Sequence, residues 1–135
     1  MAEVQDRREL ILSTAAEMFA RKGLRATTVR AIADAVGVFS GSLYHHFPSK
    51  DAIFDEVLRR YLEEIRARYA AVLASGQRPA DCLHDLVVTS LSVAEEQPHA
   101  TAIYQNEAQY LRETPGFSDI QAAAVGIQQT WLHVI

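Results

Sequence analysis

The sequence predicts an all-α chain, and three observations carry that expectation. Apolar residues recur at helical spacing from Leu10 to Val134, no period-two alternation persists, and caps and breakers divide the pattern into helix-sized pieces. In the first helix Leu10, Ile11, Thr14, Ala15, Met18 and Phe19 share one face, and Lys22-Gly23 supplies a basic last turn with a glycine stop. Thr28 caps a second helix from Val29 to about Val36, with Val29, Ile32, Ala33 and Val36 inward, and Gly37 closes it. A third short helix runs from Ser40 to about His46 and stops at Phe47-Pro48, because a residue before proline is steered away from helical backbone. Ser49 caps a fourth helix, from Lys50 to about Ala74. Its stripe of Ile53, Phe54, Val57, Leu58, Tyr61, Leu62, Ile65, Tyr69, Val72 and Leu73 is unbroken, so it can serve two cores without a linker. Breaks at Ser75 to Pro79, Gln97-Pro98 and Thr114-Pro115-Gly116 leave helices near Ala80 to Glu96, His99 to about Arg112, and Ser118 onward.

Composition narrows the function classes. With 49% hydrophobic and 22% charged residues over 135 positions, the chain can bury a core and is not a disordered tail. Charge interrupts every apolar stretch, so no run approaches the ~18 residues of a spanning helix, and no membrane partner is expected. The opening MAEVQDRREL has early acids and no apolar signal core, which makes a cytoplasmic location the expectation. Cys82 is alone, so it forms no internal disulfide and reads as a free structural thiol in a reducing compartment. The formal charge of −4 argues at first against nucleic acid, but the halves differ in sign. Residues 1–60 carry nine Lys or Arg against eight Asp or Glu, whereas residues 61–135 carry four against nine, so the acid lies in the second half. Phosphate attraction depends on where the cations lie more than on the total.

Two short helices joined by a glycine-containing turn describe the stretch from Thr27 to Lys50, TTVRAIADAVGVFSGSLYHHFPSK, and that is a helix-turn-helix layout. The second helix of such a unit enters the major groove, so its leading end must be thin and polar. Ser40, Gly41 and Ser42 meet that need, since small residues let the backbone approach base edges and hydroxyls bond to bases or phosphates. Tyr44 and His45 lie one turn on, at the exposed side when Leu43 and Phe47 point inward, in reach of the DNA backbone or a thymine methyl. Thr28 and Lys50, each at a helix N-terminus, are positioned to clamp phosphates, and Arg30 is a further cation for the same task. The competing reading is a generic three-helix unit in which Thr28 and Ser49 only cap helices and Tyr44 and the histidines are solvated surface.

At these residues the sequence resembles the TetR family of regulators: TTVRAIADAVGV followed by GSLYHHFPSKDAIF matches that family's helix-turn-helix and the start of its linking helix, over roughly residues 8–60. The resemblance implies a helix-turn-helix domain over residues 1–50 and a helical effector-binding and dimerisation domain over 51–135, incomplete because the family's two further C-terminal helices are missing after Ile135. It implies a homodimeric repressor on a palindromic double-stranded DNA operator, released by a small-molecule effector, with reading helices about 34 to 36 Å apart or a multiple of that. Carried over by position, Thr28, Ser42, Tyr44, His45 and Lys50 are DNA contacts, with Ser40 and His46 beside them. The stretch AIYQNEAQYL, with GSLYHHF, resembles the actinobacterial TetR-type repressors of late cholesterol catabolism, which implies an effector of acyl-CoA type, a coenzyme A thioester of a steroid fragment.

In the second half, helices with apolar faces and a few large amphipathic residues are how a bundle lines an effector cavity. Tyr69, Leu91, Ile103, Tyr104, Glu107, Gln128 and Trp131 are the residues that could line it, although Tyr104 and Trp131 read more readily as core anchors. An enzyme is not expected. Glu95, Glu96 and His99 are separated by Pro98 and cannot share one helix face, so no metal site is read. Asp81, His84 and Asp85 read as a solvated face, Cys82 has no activating partner, and no phosphate-binding glycine loop or other cofactor motif occurs. The remaining rival is a helical protein–protein adaptor, which has no need of a polar reading helix.

Overall fold

The computed structural model describes residues 2–135, which form eight helices and no strand. The first three are α1 (Ala2–Lys22), α2 (Val29–Val36) and α3 (Ser40–His46), and α4 (Lys50–Ala74) follows directly. Then come α5 (Pro79–Glu96), α6 (Pro98–Asn106), α7 (Ala108–Glu113) and α8 (Ser118–Val134). No helix among the described residues is long and apolar enough to cross a membrane.

The N-terminal platform follows from its caps and its inward faces. Thr28 accepts the Ala31 N–H at 3.0 Å to start α2, and Gly37 ends it at φ 90°, a left-handed turn that costs a residue without Cβ nothing. Ser49 starts α4 in the same way, accepting the Ala52 N–H at 3.1 Å. Between α1 and α2 the fully buried Thr27 ties the turn, its hydroxyl donating to the Gly23 carbonyl at 2.8 Å. Ile11, Ala15 and Phe19 of α1, Ile32 of α2, Leu43 and Phe47 around α3, and Ile53 and Phe54 of α4 form its core. The same cluster continues through Leu62, Ile65 and Tyr69 to Leu86, Ile103 and Ile120, so α4 serves both halves without a linker. Phe54 sits at the junction, edge-to-face with Phe19 of α1 and Phe117 ahead of α8, at 6.0 and 5.5 Å between ring centres.

Three expectations need correction. Leu10 is 49% exposed and Leu12 takes the inward position; α1 packs against α6 as well as α2 and α4, a wider footprint than one helical stripe. Leu73 is 39% exposed, because it faces the open groove between α4 and α8. The helix expected from His99 to Arg112 is two, α6 and α7, broken at Glu107 with φ −106° and ψ 18°. No Gly or Pro marks that break; Glu107 is held from outside its own helix, its carboxylate accepting the Leu24 N–H at 3.3 Å.

Candidate nucleic-acid interface

Burial divides α3 into two faces. Leu43 and the following Phe47 are buried in the platform, while Gly41, Tyr44 and His45 are exposed and Ser40, Ser42 and His46 are half-buried. A polar strip therefore projects from a fixed base. Gly41 has ordinary helical backbone, and a Cβ built on it would meet nothing within 4 Å, so the chain's own packing does not call for a glycine there.

Thr28 and Arg30 are exposed at the start of α2, and Arg30 has no ion-pair partner among the described residues. Lys50 opens α4 and its ammonium donates to the Leu24 carbonyl at 2.8 Å, which fixes it beside the α1–α2 turn with two N–H groups to spare. Arg25, the next residue in that turn, is exposed and likewise unpaired among the described residues. Sequence reasoning passed over Arg25 because it lies in a loop outside any periodic pattern; its adjacency to the Leu24–Lys50 contact is visible only in three dimensions. It also passed over Phe39, which precedes α3 and is 87% exposed.

An ion-pair network braces the platform. Arg8 makes a two-pronged pair with Glu56, one prong at 2.6 Å, and its guanidinium lies 4.4 Å from the centre of the Phe47 ring that ends α3. Arg60 joins Glu9 at 2.7 Å and Glu56 at 2.9 Å. The hydrogen bond from Arg8 holds the Glu56 carboxyl below its ordinary range, and that from Arg60 does the same for Glu9.

The C-terminal half holds a groove of about 740 Å³ between α6, α7 and α8, lined by Tyr104, Ala108, Leu111, Arg112, Ile120 and Gln128 among others. Of the residues expected to line a cavity, Tyr104 and Gln128 are there. Tyr69 and Trp131 instead lock α4, α5 and α8 together: the Tyr69 hydroxyl lies 2.5 Å from Ser90 Oγ and accepts from Trp131 Nε1 at 3.2 Å. Tyr69 also borders a smaller groove of about 450 Å³ between α4 and α8. Ile103 is buried in the core, Leu91 is 66% exposed on α5, and Glu107 faces the α1–α2 turn. Ala108, Leu111 and Arg112 reach the groove because the chain breaks at Glu107, a break with no local signal.

The wall of this groove is also a link to the platform. Glu107 holds the Leu24 N–H, and the Tyr110 hydroxyl donates to Asp51 at 2.9 Å, one residue beyond Lys50. Burial, followed by the Asp51 carboxylate, raises the Tyr110 phenol above its ordinary value, so it stays a donor. Burial likewise raises Tyr104, whose ring packs 5.9 Å from that of Tyr61.

Comparison with known proteins gives a consistent picture. Residues 11–57 match the model of the bacterial regulatory proteins of the tetR family. The chain is 44% identical over 133 residues to the HTH-type transcriptional repressor KstR2 of Mycobacterium tuberculosis, covering 98% of this chain and 66% of that protein. It is 42% identical over 129 residues to KstR2 of Rhodococcus jostii, covering 96% of this chain and 63% of that one. The solved structure of the ketosteroid transcriptional regulator KstR2 of M. tuberculosis superposes with a TM-score of 0.90 over 95% of this chain and 65% of its own. The structure titled probable transcriptional regulatory protein RHA5900 does so at 0.88 with 42% identity, covering 94% and 68%. The chain thus spans somewhat less than two thirds of the curated relatives' length.

Proposed function

The chain belongs to the tetR family of bacterial regulatory proteins, and from that premise we propose that it is the DNA-reading and effector-sensing part of a transcriptional repressor. Residues 1–50 are the reading unit and residues 51–135 the effector-binding and dimerisation unit. The observation that carries the reading is the polar outer face of α3 on a buried three-helix base, with a glycine at Gly41 that the fold itself does not need. In this account α3 lies in the major groove of a double-stranded operator, with Ser40, Gly41, Ser42, Tyr44, His45 and His46 at base edges and sugar-phosphate. Thr28, Arg30 and Lys50 hold the flanking phosphates, and Arg25 adds a fourth contact. Two copies bind as a homodimer on a palindromic site, and the protein acts where its operator is, in the cytoplasm. Nothing catalytic is assigned, since the relatives are transcriptional regulators.

The effector enters the groove between α6, α7 and α8, where apolar Ala108, Leu111 and Ile120 suit a hydrocarbon skeleton and Arg112 a carboxylate or phosphate. The class is an acyl-coenzyme A thioester of a steroid fragment, a reading supported by a relative described as a ketosteroid transcriptional regulator. Release follows from the shared wall: a ligand that displaces α6 and α7 pulls on the Glu107–Leu24 and Tyr110–Asp51 hydrogen bonds, which border Lys50. The reading head then shifts relative to its partner.

The test uses the full-length protein and a duplex that it selects from a randomised pool. Tyr44→Ala and Lys50→Ala lose at least tenfold in affinity for that duplex; undiminished binding by both moves the interface off α3, and failure of the wild type to select any duplex favours the adaptor. Native mass spectrometry against coenzyme A thioesters and free fatty acids then tests the effector class, and retention of the fatty acids alone rejects it.

A further inference from the structure

Phe39 stands between the two helix starts that carry a side-chain cap among the described residues, and the later helices α5 to α8 begin uncapped as α3 does. Among the three helices that follow α1, α2 begins on Thr28 and α4 on Ser49, and each hydroxyl accepts an N–H of its helix's first turn. The position preceding α3 is Phe39, in extended backbone with φ −76° and ψ 151°, and its side chain makes no cap. A hydroxyl or amide residue there is worth about tenfold in the equilibrium for the folded helix, so the platform forgoes stability at this position. The ring gains nothing in return from its own chain, because at 87% it is the most exposed large apolar side chain among the described residues.

The backbone beneath that ring is nevertheless well fixed. Gly37 and Val38 N–H both donate to the Ala33 carbonyl, at 2.9 and 3.0 Å, and the Phe39 carbonyl accepts the first helical bond of α3 from Leu43 at 3.2 Å. Phe39 is thus locked in register with α3, at the end that leads into the groove, with Ser40 and the uncrowded Gly41 beside it. A phenyl ring forms no hydrogen bond to a base edge. The apolar feature that base pairs present in the major groove is the C5 methyl of thymine. We propose that Phe39 is a specificity-determining residue that reads a thymine by packing on its methyl group. The inference rests on the DNA-reading role of α3.

The test replaces each thymine of the selected duplex in turn by deoxyuridine, which removes only that methyl, and measures affinity by fluorescence anisotropy at one salt concentration. The full-length wild type binds about fourfold more weakly when one particular thymine of a single half-site is replaced, the worth of one buried methyl group, and about fifteenfold more weakly when it is replaced in both. Phe39→Ser binds the thymine and deoxyuridine duplexes equally, near the wild type's affinity for the doubly replaced one. Its melting midpoint does not fall, since serine supplies the missing cap. Retention of the fourfold discrimination by Phe39→Ser overturns the proposal while the DNA-reading role stands, as does indifference of the wild type at every thymine. Failure of the wild type to select any duplex removes both together.

Discussion

Lys50→Gln separates the two roles that Lys50 can play. Its ammonium donates to the Leu24 carbonyl at 2.8 Å, a structural contact, in the turn that carries the exposed Arg25, and it keeps N–H groups free for a phosphate. Glutamine keeps a hydrogen-bond donor and removes the charge. In the proposed interface each head brings three cations to phosphates, Arg25, Arg30 and Lys50. For a homodimer with all six engaged, the log–log dependence of operator affinity on salt has a slope of about −5.4, and for Lys50→Gln about −3.6. Between 50 and 200 mM salt the wild type then weakens about 2,000-fold and the variant about 150-fold. Fluorescence anisotropy titrations of the selected duplex at four salt concentrations measure both slopes. A variant with a lower melting midpoint but an unaltered slope would refute the phosphate role and leave Lys50 as a staple for the α1–α2 turn.

Three further outcomes follow from the same geometry. Thr28→Ala and Ser49→Ala each remove a helix cap and lower unfolding stability by about 1 kcal/mol, measured by urea denaturation. Glu56 is held below its ordinary 4.5 by the Arg8 hydrogen bond, so its stabilising share is complete above pH 4.5 and lost as pH falls through its depressed value. Glu56→Gln therefore loses about 1 kcal/mol at pH 7 and shows a shallower acid limb in thermal melts from pH 7 to 3. Glu107→Ala combined with Tyr110→Phe removes the two side-chain hydrogen bonds that tie the groove wall to the platform, and lowers the effector's influence on operator affinity about tenfold. An undiminished effector response in that double variant would mean that the signal travels by another route.

Much of the platform was legible because its signals are local. Thr28, Gly37, Pro48 and Ser49 each impose a backbone state on their own neighbours, and the bounds of α2, α3 and α4 fall where those residues put them. Inward faces were less secure. Leu10 and Leu12 both suit a helix, and which of them is buried depends on where α6 lies against α1, which no residue of α1 records. The break at Glu107 has the same character, because the carboxylate that accompanies it is held by Leu24, 83 positions earlier. That break brings Ala108, Leu111 and Arg112 to the groove and turns Glu107 away from it, so the groove wall could not be read from spacing. Phe39 was overlooked for a different reason: a pattern search asks which apolar residues are buried, and its informative property is that it is not.

Amide hydrogen exchange of the full-length protein, with and without the selected duplex, probes the role of α3 most directly. The account predicts slowed exchange over residues 39–47 and at the first turns of α2 and α4, with the outer face of α5 unchanged. Tight duplex binding that leaves residues 39–47 exchanging as in the free protein would contradict it.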